Sequence, residues 1–489
     1  MDLKRLQNKV KKITKKLNLA NSPELCGLDF SSEAGEISKE ILELTDYGRR
    51  EHVYNPDLAR ELGDAFYSLI TLANIYDINL EEQLLSSLKK YEKREQKRKD
   101  LTQCKVKLEP IVLAKNFLCL NSVVGCRNNC VYCYKHGWDF ENKFKPAKIF
   151  GVSTILKNIK KYKYFHSSIP LAIHNSATDP FQEGVTKTTF EILDGLEKMK
   201  INNIVGLITK EYLSEEIIKR LENYKNIRLV IFITFSLLPE KFEKVINDRR
   251  IESMKNLSKS KLKKVLYYRP VISGINDSEN IVQKIVGLGE KYFNCIVRSS
   301  LKVDINTIEY MAKRGIFIDS NYDIGLNIHD SLKQMPSETR KRVDKVLVRS
   351  KIPYFKKTSC AISYLFNEPD YNSQWVRKEI YCSGNCPKEQ QKICLRQSLK
   401  QPDSHEIERI LQHLKLNAKY KIFKDRITIE SKNVFYSDIK FLRIVLRFPV
   451  LILIDQEELT AEEYDRKYVN ADRNEIRKLI KKKGISNYS

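Results

Sequence analysis

The chain has 489 residues, with 87 Lys and Arg against 62 Asp and Glu for a formal net charge of +25. That length excludes one small domain and leaves room for two or three of roughly 100 to 200 residues each. A hydrophobic share of 42% with 17 Gly and 14 Pro excludes a disordered or fibrous chain. The most apolar stretches, 229–238 and 441–454, are shorter than the roughly 18 residues of a membrane helix, so no membrane association is expected. The opening Met1-Asp2-Leu3-Lys4-Arg5 lacks the apolar centre of a secretory signal, and a cytoplasmic protein is expected. The positive excess favours polyanionic partners such as nucleotides or nucleic acid, unless it serves solubility alone.

Residues 1–95 carry apolar positions at helical spacing, among them Ile41, Leu44, Leu69, Leu72 and Leu84, and read as an all-α bundle. The charged run Lys89 to Asp100 suggests a solvated helix end passing into a basic linker over 96–110. Over 111–350 short β-branched runs, such as Leu171-Ala172-Ile173, Ile204 to Ile208, Leu229 to Ile233 and Val265 to Tyr268, alternate with amphipathic stretches. This is the pattern of βαβ units in a parallel sheet or barrel. Residues 351–400 form a cysteine-containing region, and 401–489 read as a small α+β domain.

In the first region Glu33 and Glu36 lie three apart on one expected helix, and Glu61 and Asp64 repeat that spacing on the next, so each pair projects from one helical face. Four carboxylates converging from two helices suit Mg²⁺, a hard cation that keeps waters and substrate phosphates in its shell. The alternative is a solvated helix face. The small and apolar neighbours Ala34-Gly35, Leu62-Gly63 and Ala65-Phe66 speak against a uniformly polar face.

With Ser32-Glu33-Ala34-Gly35-Glu36, Glu61-Leu62-Gly63-Asp64-Ala65, Leu72-Ala73-Asn74 and Lys90-Tyr91-Glu92-Lys93-Arg94, this segment resembles the MazG-like all-α nucleoside triphosphate pyrophosphohydrolases. The resemblance implies an oligomeric helical bundle. It also implies Mg²⁺ held by Glu33, Glu36, Glu61 and Asp64, and cleavage of a triphosphate to monophosphate and pyrophosphate. Lys90, Lys93 and Arg94 are candidates to reach the phosphates.

In the second region Cys126, Cys130 and Cys133 are spaced Cys-x3-Cys-x2-Cys directly after Gly125. Three thiolates on one tight loop suit three irons of a [4Fe-4S] cluster and leave the fourth open. Zinc, with His136 as fourth ligand, is the alternative. With Tyr132 before the last cysteine and α/β texture following, the segment looks like a radical S-adenosylmethionine (SAM) enzyme. Ser176 to Gln182, Ile208-Thr209-Lys210 and Arg269 to Asp277 are similar to the subgroup related to spore photoproduct lyase.

That resemblance implies a partial (βα)6 TIM-like barrel in which SAM chelates the open iron. It further implies a reductant such as flavodoxin or ferredoxin, and a 5′-deoxyadenosyl radical that abstracts hydrogen from substrate. Tyr132, Ser176, Thr209, Lys210, Ser236 and Arg269 are the candidate SAM contacts, with Lys210 or Arg269 neutralising the methionine carboxylate. Strand-end Ser, Thr and Asp also cap the helix that follows, which is the competing role. Cys295, in an apolar strand-like run, reads as a core thiol.

Cys360, Cys382, Cys386 and Cys394 supply four soft ligands for an auxiliary Fe-S cluster or a structural zinc. Cys26, Cys104 and Cys119 are isolated and read as packing residues. The leading expectation is a bifunctional enzyme acting on nucleotides or a nucleic acid base. The alternatives are a nucleic acid repair or modification enzyme whose helical domain dimerises it and binds nucleotides, and a degenerate basic nucleic-acid-binding protein.

Overall fold

The computed structural model describes residues 2–19, 22–47, 55–102, 109–138, 143–175, 177–318, 322, 335–373, 386–431, 434–454 and 456–460, without the side chains of 93–102. The candidate residues Ser176 and Cys382, together with Cys104, lie outside this set, as do the side chains of Lys93 and Arg94. The chain divides into two compact units, Met1–Leu101 and Thr102–Ser489.

The first unit contains helices α1 (Leu3–Lys16), α2 (Pro23–Leu44), α3 (Pro56–Ile75) and α4 (Leu80–Thr102). Local chemistry sets their starts. Ser22 accepts from the Leu25 N–H ahead of Pro23, and Asn55 accepts from the Asp57 N–H ahead of Pro56, so each cap satisfies a free donor while proline fixes the first turn. The α2 and α3 helices pack along their length, and α1 lies on α3. Gln7 joins α1 to the α3–α4 turn, donating to the Ile78 carbonyl at 2.9 Å and accepting from the Leu80 N–H at 3.0 Å. Helix α4 continues through residues 96–102, where a linker was expected, because its charged residues favour a helix.

In the second unit β1 (Ile111–Leu113) pairs antiparallel with β2 (Leu118–Leu120), and a two-residue ribbon joins β3 (Val123–Val124) to β4 (Ala147–Lys148). Parallel to β2, in sequential order, follow β5 (Leu171–Ile173), β6 (Ile204–Thr209), β7 (Arg228–Thr234), β8 (Lys263–Val271), β9 (Cys295–Ser300) and β10 (Tyr354–Phe355). Helices connect the parallel strands, and the strands are buried in continuous runs, as a sheet covered on both faces requires.

The expected (βα)6 set therefore gains a seventh parallel strand, β10, and an antiparallel edge, β1. Strand β10 comes from the region expected to stand apart as 351–400. It escapes a pattern search because only two apolar residues, Tyr354 and Phe355, enter the sheet.

The C-terminal residues form a second sheet, β11 (Lys419–Ile422), β12 (Ile427–Glu430), β13 (Val450–Ile454) and β14 (Glu457–Leu459), with a parallel β12–β13 pair joined through the helix Tyr436–Leu446. Ile427 and Ile452 of this sheet, with Ile407 and Phe441 of the helices Ser404–His413 and Tyr436–Leu446, belong to the same apolar cluster as the parallel sheet. A separate smaller cluster, which includes Val131, Leu238, Phe242, Ile272, Ile305 and Ile308, contains residues of the loops that follow the strands. No helix among the described residues is long and apolar enough to cross a membrane.

Candidate functional site

In the first unit, ligand oxygens of Glu33, Glu61 and Asp64 all lie within 4.8 Å of one another, so α2 and α3 bring three of the four expected carboxylates to one point. Glu36 lies close enough to Glu61 to help raise its carboxyl. Partial burial first, then Glu36, Asp29, Asp64 and Glu61, raises the Glu33 carboxyl above its ordinary value. Glu61 is raised in the same way, by partial burial and then Glu36. A donor set of hard oxygens that repel one another fits a divalent cation.

Sequence reasoning missed Asp29 and Glu40. Asp29 accepts a 2.6 Å hydrogen bond from Ser68, and Glu40 adds its charge to Glu61. Each lies one helical turn from an expected ligand, a spacing that could have flagged them. Lys90 is exposed on α4.

In the second unit the cysteine loop begins at Gly125, whose φ of +100° suits a residue without a side chain. Its N–H is bonded to the Ala177 carbonyl at 3.2 Å. The Cys126 N–H bonds to the Lys143 carbonyl, the Val131 N–H to the Phe242 carbonyl, and the Arg127 N–H to Gln182 at 2.8 Å. His136, expected as a possible metal ligand, is instead 3.0 Å from the Cys130 carbonyl and stacks on Tyr310 with ring centroids 3.5 Å apart. Burial pushes its pKa down to about 4. Burial raises all three thiols, Cys126, Cys130 and Cys133.

The three loop sulfurs do not all lie within 4.8 Å of one another. Three thiolates on one loop can each bind one iron of a cluster. Cys360, Cys386 and Cys394 are no more compact. The first two lie against the apolar core, and the Cys394 sulfur accepts from Gln390 at 3.4 Å.

The expected SAM contacts fall into two groups. Thr209 and Lys210 are engaged within the protein. The Thr209 hydroxyl donates to Asp179 at 2.7 Å and accepts from the Glu211 N–H at 2.9 Å. The Lys210 ammonium pairs with Glu243 at 2.9 Å, hydrogen-bonds the Tyr132 hydroxyl and lies 3.7 Å from the Cys130 sulfur. Tyr132 in turn donates to Glu243 at 2.5 Å.

Ser236 and Arg269 keep capacity to bind. The Ser236 hydroxyl is buried without a hydrogen-bond partner among the described residues, as are both ring nitrogens of His174 just after β5. Arg269 donates to the Tyr267 hydroxyl at 3.4 Å and forms no ion pair among the described residues. Orphaned polar atoms after the ends of parallel strands, where such folds receive ligands, fit a polar cofactor. Asp179, Glu243, Arg250 and Asn276 were given no role from sequence. Asn276 donates to the Ser236 carbonyl at 2.8 Å and the Pro270 carbonyl at 2.9 Å, tying the β7 and β8 loops together.

Residues 22–99 match the family described as the MazG nucleotide pyrophosphohydrolase domain, which places a MazG domain in the first unit. No curated protein matches the chain. Among solved structures it is similar to a spore photoproduct lyase mutant, at 13% identity over 55% of this chain and 82% of that one, with a TM-score of 0.39. It is also similar to SuiB of Streptococcus suis bound to precursor peptide SuiA, at 12% identity over 66% of this chain and 61% of that one, with a TM-score of 0.33. A radical SAM methyltransferase from Sphaerobacter thermophilus is similar at 12% identity over 50% of this chain and 69% of that one, with a TM-score of 0.34. At these scores the function of the second unit has to be argued from its own residues.

Proposed function

We propose that the chain is a bifunctional enzyme in which a Mg²⁺-dependent nucleoside triphosphate pyrophosphohydrolase is fused to a [4Fe-4S] radical SAM enzyme acting on a nucleotide or a nucleic acid base. The observation that carries the first half is the convergence of Glu33, Glu61 and Asp64 inside the segment that matches the MazG domain. These three, with Glu36, would hold Mg²⁺, which supplies charge neutralisation for the phosphates and an activated water. Exposed Leu84 (54%) and Leu88 (48%) on α4 support a homo-oligomer formed through this unit.

The second half rests on the three thiols that one loop supplies, Cys126, Cys130 and Cys133, which would each bind one iron. A cluster held there supplies one electron for reductive cleavage of SAM. Arg269 would receive the methionine carboxylate, and the Ser236 hydroxyl would bond a polar group of SAM. Cys360, Cys382, Cys386 and Cys394 are proposed as ligands of a second centre, Fe-S or zinc, on the strength of their four soft donors.

The test is incubation of the anaerobically reconstituted chain with SAM, reductant, Mg²⁺ and a panel of nucleotides and oligonucleotides, followed by mass spectrometry. The expected products are pyrophosphate, 5′-deoxyadenosine and a modified nucleotide or base. A chain in which Cys130→Ala still yields 5′-deoxyadenosine at the unaltered rate would overturn the radical reading. Unchanged pyrophosphate release by Glu36→Gln and Asp64→Asn would overturn the hydrolase reading.

A further inference from the structure

We propose that Lys210 raises the reduction potential of the cluster by donating a hydrogen bond to the Cys130 sulfur, and that Glu243 and Arg250 position it for that role. The inference rests on the reading of Cys126, Cys130 and Cys133 as cluster ligands.

The ammonium of Lys210 has three N–H donors and three acceptors around it: the Cys130 sulfur at 3.7 Å, the Glu243 carboxylate at 2.9 Å and the Tyr132 hydroxyl. The Tyr132 hydroxyl donates its own hydrogen bond to Glu243, so its oxygen is free to accept from the lysine. The backbone is pinned as well, because the Lys210 N–H donates to Asp179 at 2.8 Å while the neighbouring Thr209 hydroxyl takes the other Asp179 oxygen. A long, flexible side chain is thus fixed at both ends, with one donor directed at sulfur.

Glu243 is fixed from its far side. Its second oxygen accepts from Arg250 at 2.8 Å, and Arg250 is itself held by the Thr234 carbonyl at 3.2 Å, the Val245 carbonyl at 3.3 Å and Asn247 at 2.6 Å. The side chains are 15% exposed for Lys210, 2% for Glu243 and 1% for Arg250, so salt screens this group poorly. The Glu243 carboxylate 2.9 Å away gives the ammonium a buried counter-charge.

Of the charged groups in this network, the Lys210 ammonium is the one hydrogen-bonded to the Cys130 sulfur, with Glu243 and Arg250 behind it. Reduction adds one electron to a centre ligated by thiolates, so a nearby positive charge and an N–H donor to sulfur favour the reduced state. Hydrogen bonds to the sulfurs are among the determinants of Fe-S potentials.

The experiment uses the full chain, reconstituted anaerobically and without SAM. Iron analysis and the electron paramagnetic resonance signal of the reduced cluster first test the underlying reading. If the protein takes up no iron through Cys126, Cys130 and Cys133, that reading fails and the inference with it. With iron present, redox titration should give Lys210→Met a lower midpoint potential than the unaltered chain, and Lys210→Arg a midpoint close to it. A Lys210→Met protein with full iron and an unshifted midpoint overturns the inference while leaving the cluster assignment intact.

A second measurement does not depend on that variant folding. In protein labelled with lysine carrying ¹⁵N at the ζ nitrogen alone, pulsed spectroscopy of the reduced cluster should detect a coupled ¹⁵N nucleus that is lost in Lys210→Arg. No ¹⁵N coupling in the unaltered chain also overturns the inference.

Discussion

Ser68 donates a 2.6 Å hydrogen bond to Asp29, one helical turn along from the facing carboxylates Glu33 and Asp64. Asp29 precedes Glu33 by four residues and Ser68 follows Asp64 by four, the opposite steps that antiparallel helices require. The bond therefore fixes the register of α2 against α3 next to the candidate Mg²⁺ ligands. Ser68→Ala should lower stability by about 0.5–1.5 kcal/mol, the range for an ordinary hydrogen bond, since Asp29 is open to solvent. Mg²⁺ affinity should fall with it. Thermal melts and a Mg²⁺ titration check both effects, and unchanged values in the variant would remove Ser68 from any positioning role.

The acidic cluster also predicts how stability depends on pH. Glu33 and Glu61 have raised pKa values, from partial burial first and then from neighbouring carboxylates, so the folded unit holds these protons more tightly than the unfolded chain. Their contribution to stability is greatest below the ordinary carboxylate range. It is lost as pH rises through the raised folded values, and is then constant. Mg²⁺ should restore stability at neutral pH and have little effect where the carboxyls are protonated. Glu33→Gln should raise the metal-free melting temperature at neutral pH and abolish most of the Mg²⁺ response. Melting curves across pH, with and without Mg²⁺, decide this. A Mg²⁺ effect of equal size at acid and neutral pH contradicts it.

Much of the fold is visible in local sequence. The runs at 171–173, 204–208, 229–233 and 265–268 coincide with β5 to β8, because strands buried on both faces need unbroken apolar stretches. The helix Tyr436–Leu446 is harder to read, since Asp438, Lys440 and Arg443 are buried in it and break the apolar pattern. Asp438 is matched by Lys163 at 2.7 Å and Tyr164 at 3.0 Å, partners more than 270 residues away. The candidate sites divide in the same way. Glu33, Glu36, Glu61 and Asp64 are marked by helical spacing, and Cys126, Cys130 and Cys133 by a single loop. Glu243 reaches Lys210 only through the folding of the β7 loop, so nothing near Lys210 in sequence reveals that its charge is paired.

Helix α4 predicts the behaviour of the first unit in solution. Leu84, Leu85 and Leu88 are about half exposed, and among the described residues α4 packs extensively on no other helix. An apolar face of this kind is best buried against a second copy of the chain, consistent with the proposed homo-oligomer. The double variant Leu84→Glu with Leu88→Glu should be monomeric at concentrations where the unaltered protein associates. Sedimentation velocity gives the mass directly. A variant that stays associated to the same degree rules out α4 as the interface.

Asp179 offers a test of how the second unit holds its ligand loops. It is buried, and its carboxylate accepts from the Thr209 hydroxyl at 2.7 Å, the Lys210 N–H at 2.8 Å and the Phe181 N–H at 3.1 Å. One side chain thereby joins the segment after β5 to the end of β6. Burial raises its carboxyl, while the three donors work in the opposite direction by stabilising the charged form. In Asp179→Asn the shape is kept, but an amide NH₂ replaces one acceptor oxygen and must face a donor. A buried donor left without an acceptor costs about 1–3 kcal/mol, so the denaturation midpoint should fall by a corresponding amount. Lys210 loses its backbone anchor in the same step, so the iron taken up by the three cysteines should be retained less well on dilution. Denaturant titration and iron analysis of the reconstituted protein measure the two consequences. An Asp179→Asn protein with an unchanged midpoint and full iron retention would show that these loops are held by the surrounding apolar packing instead.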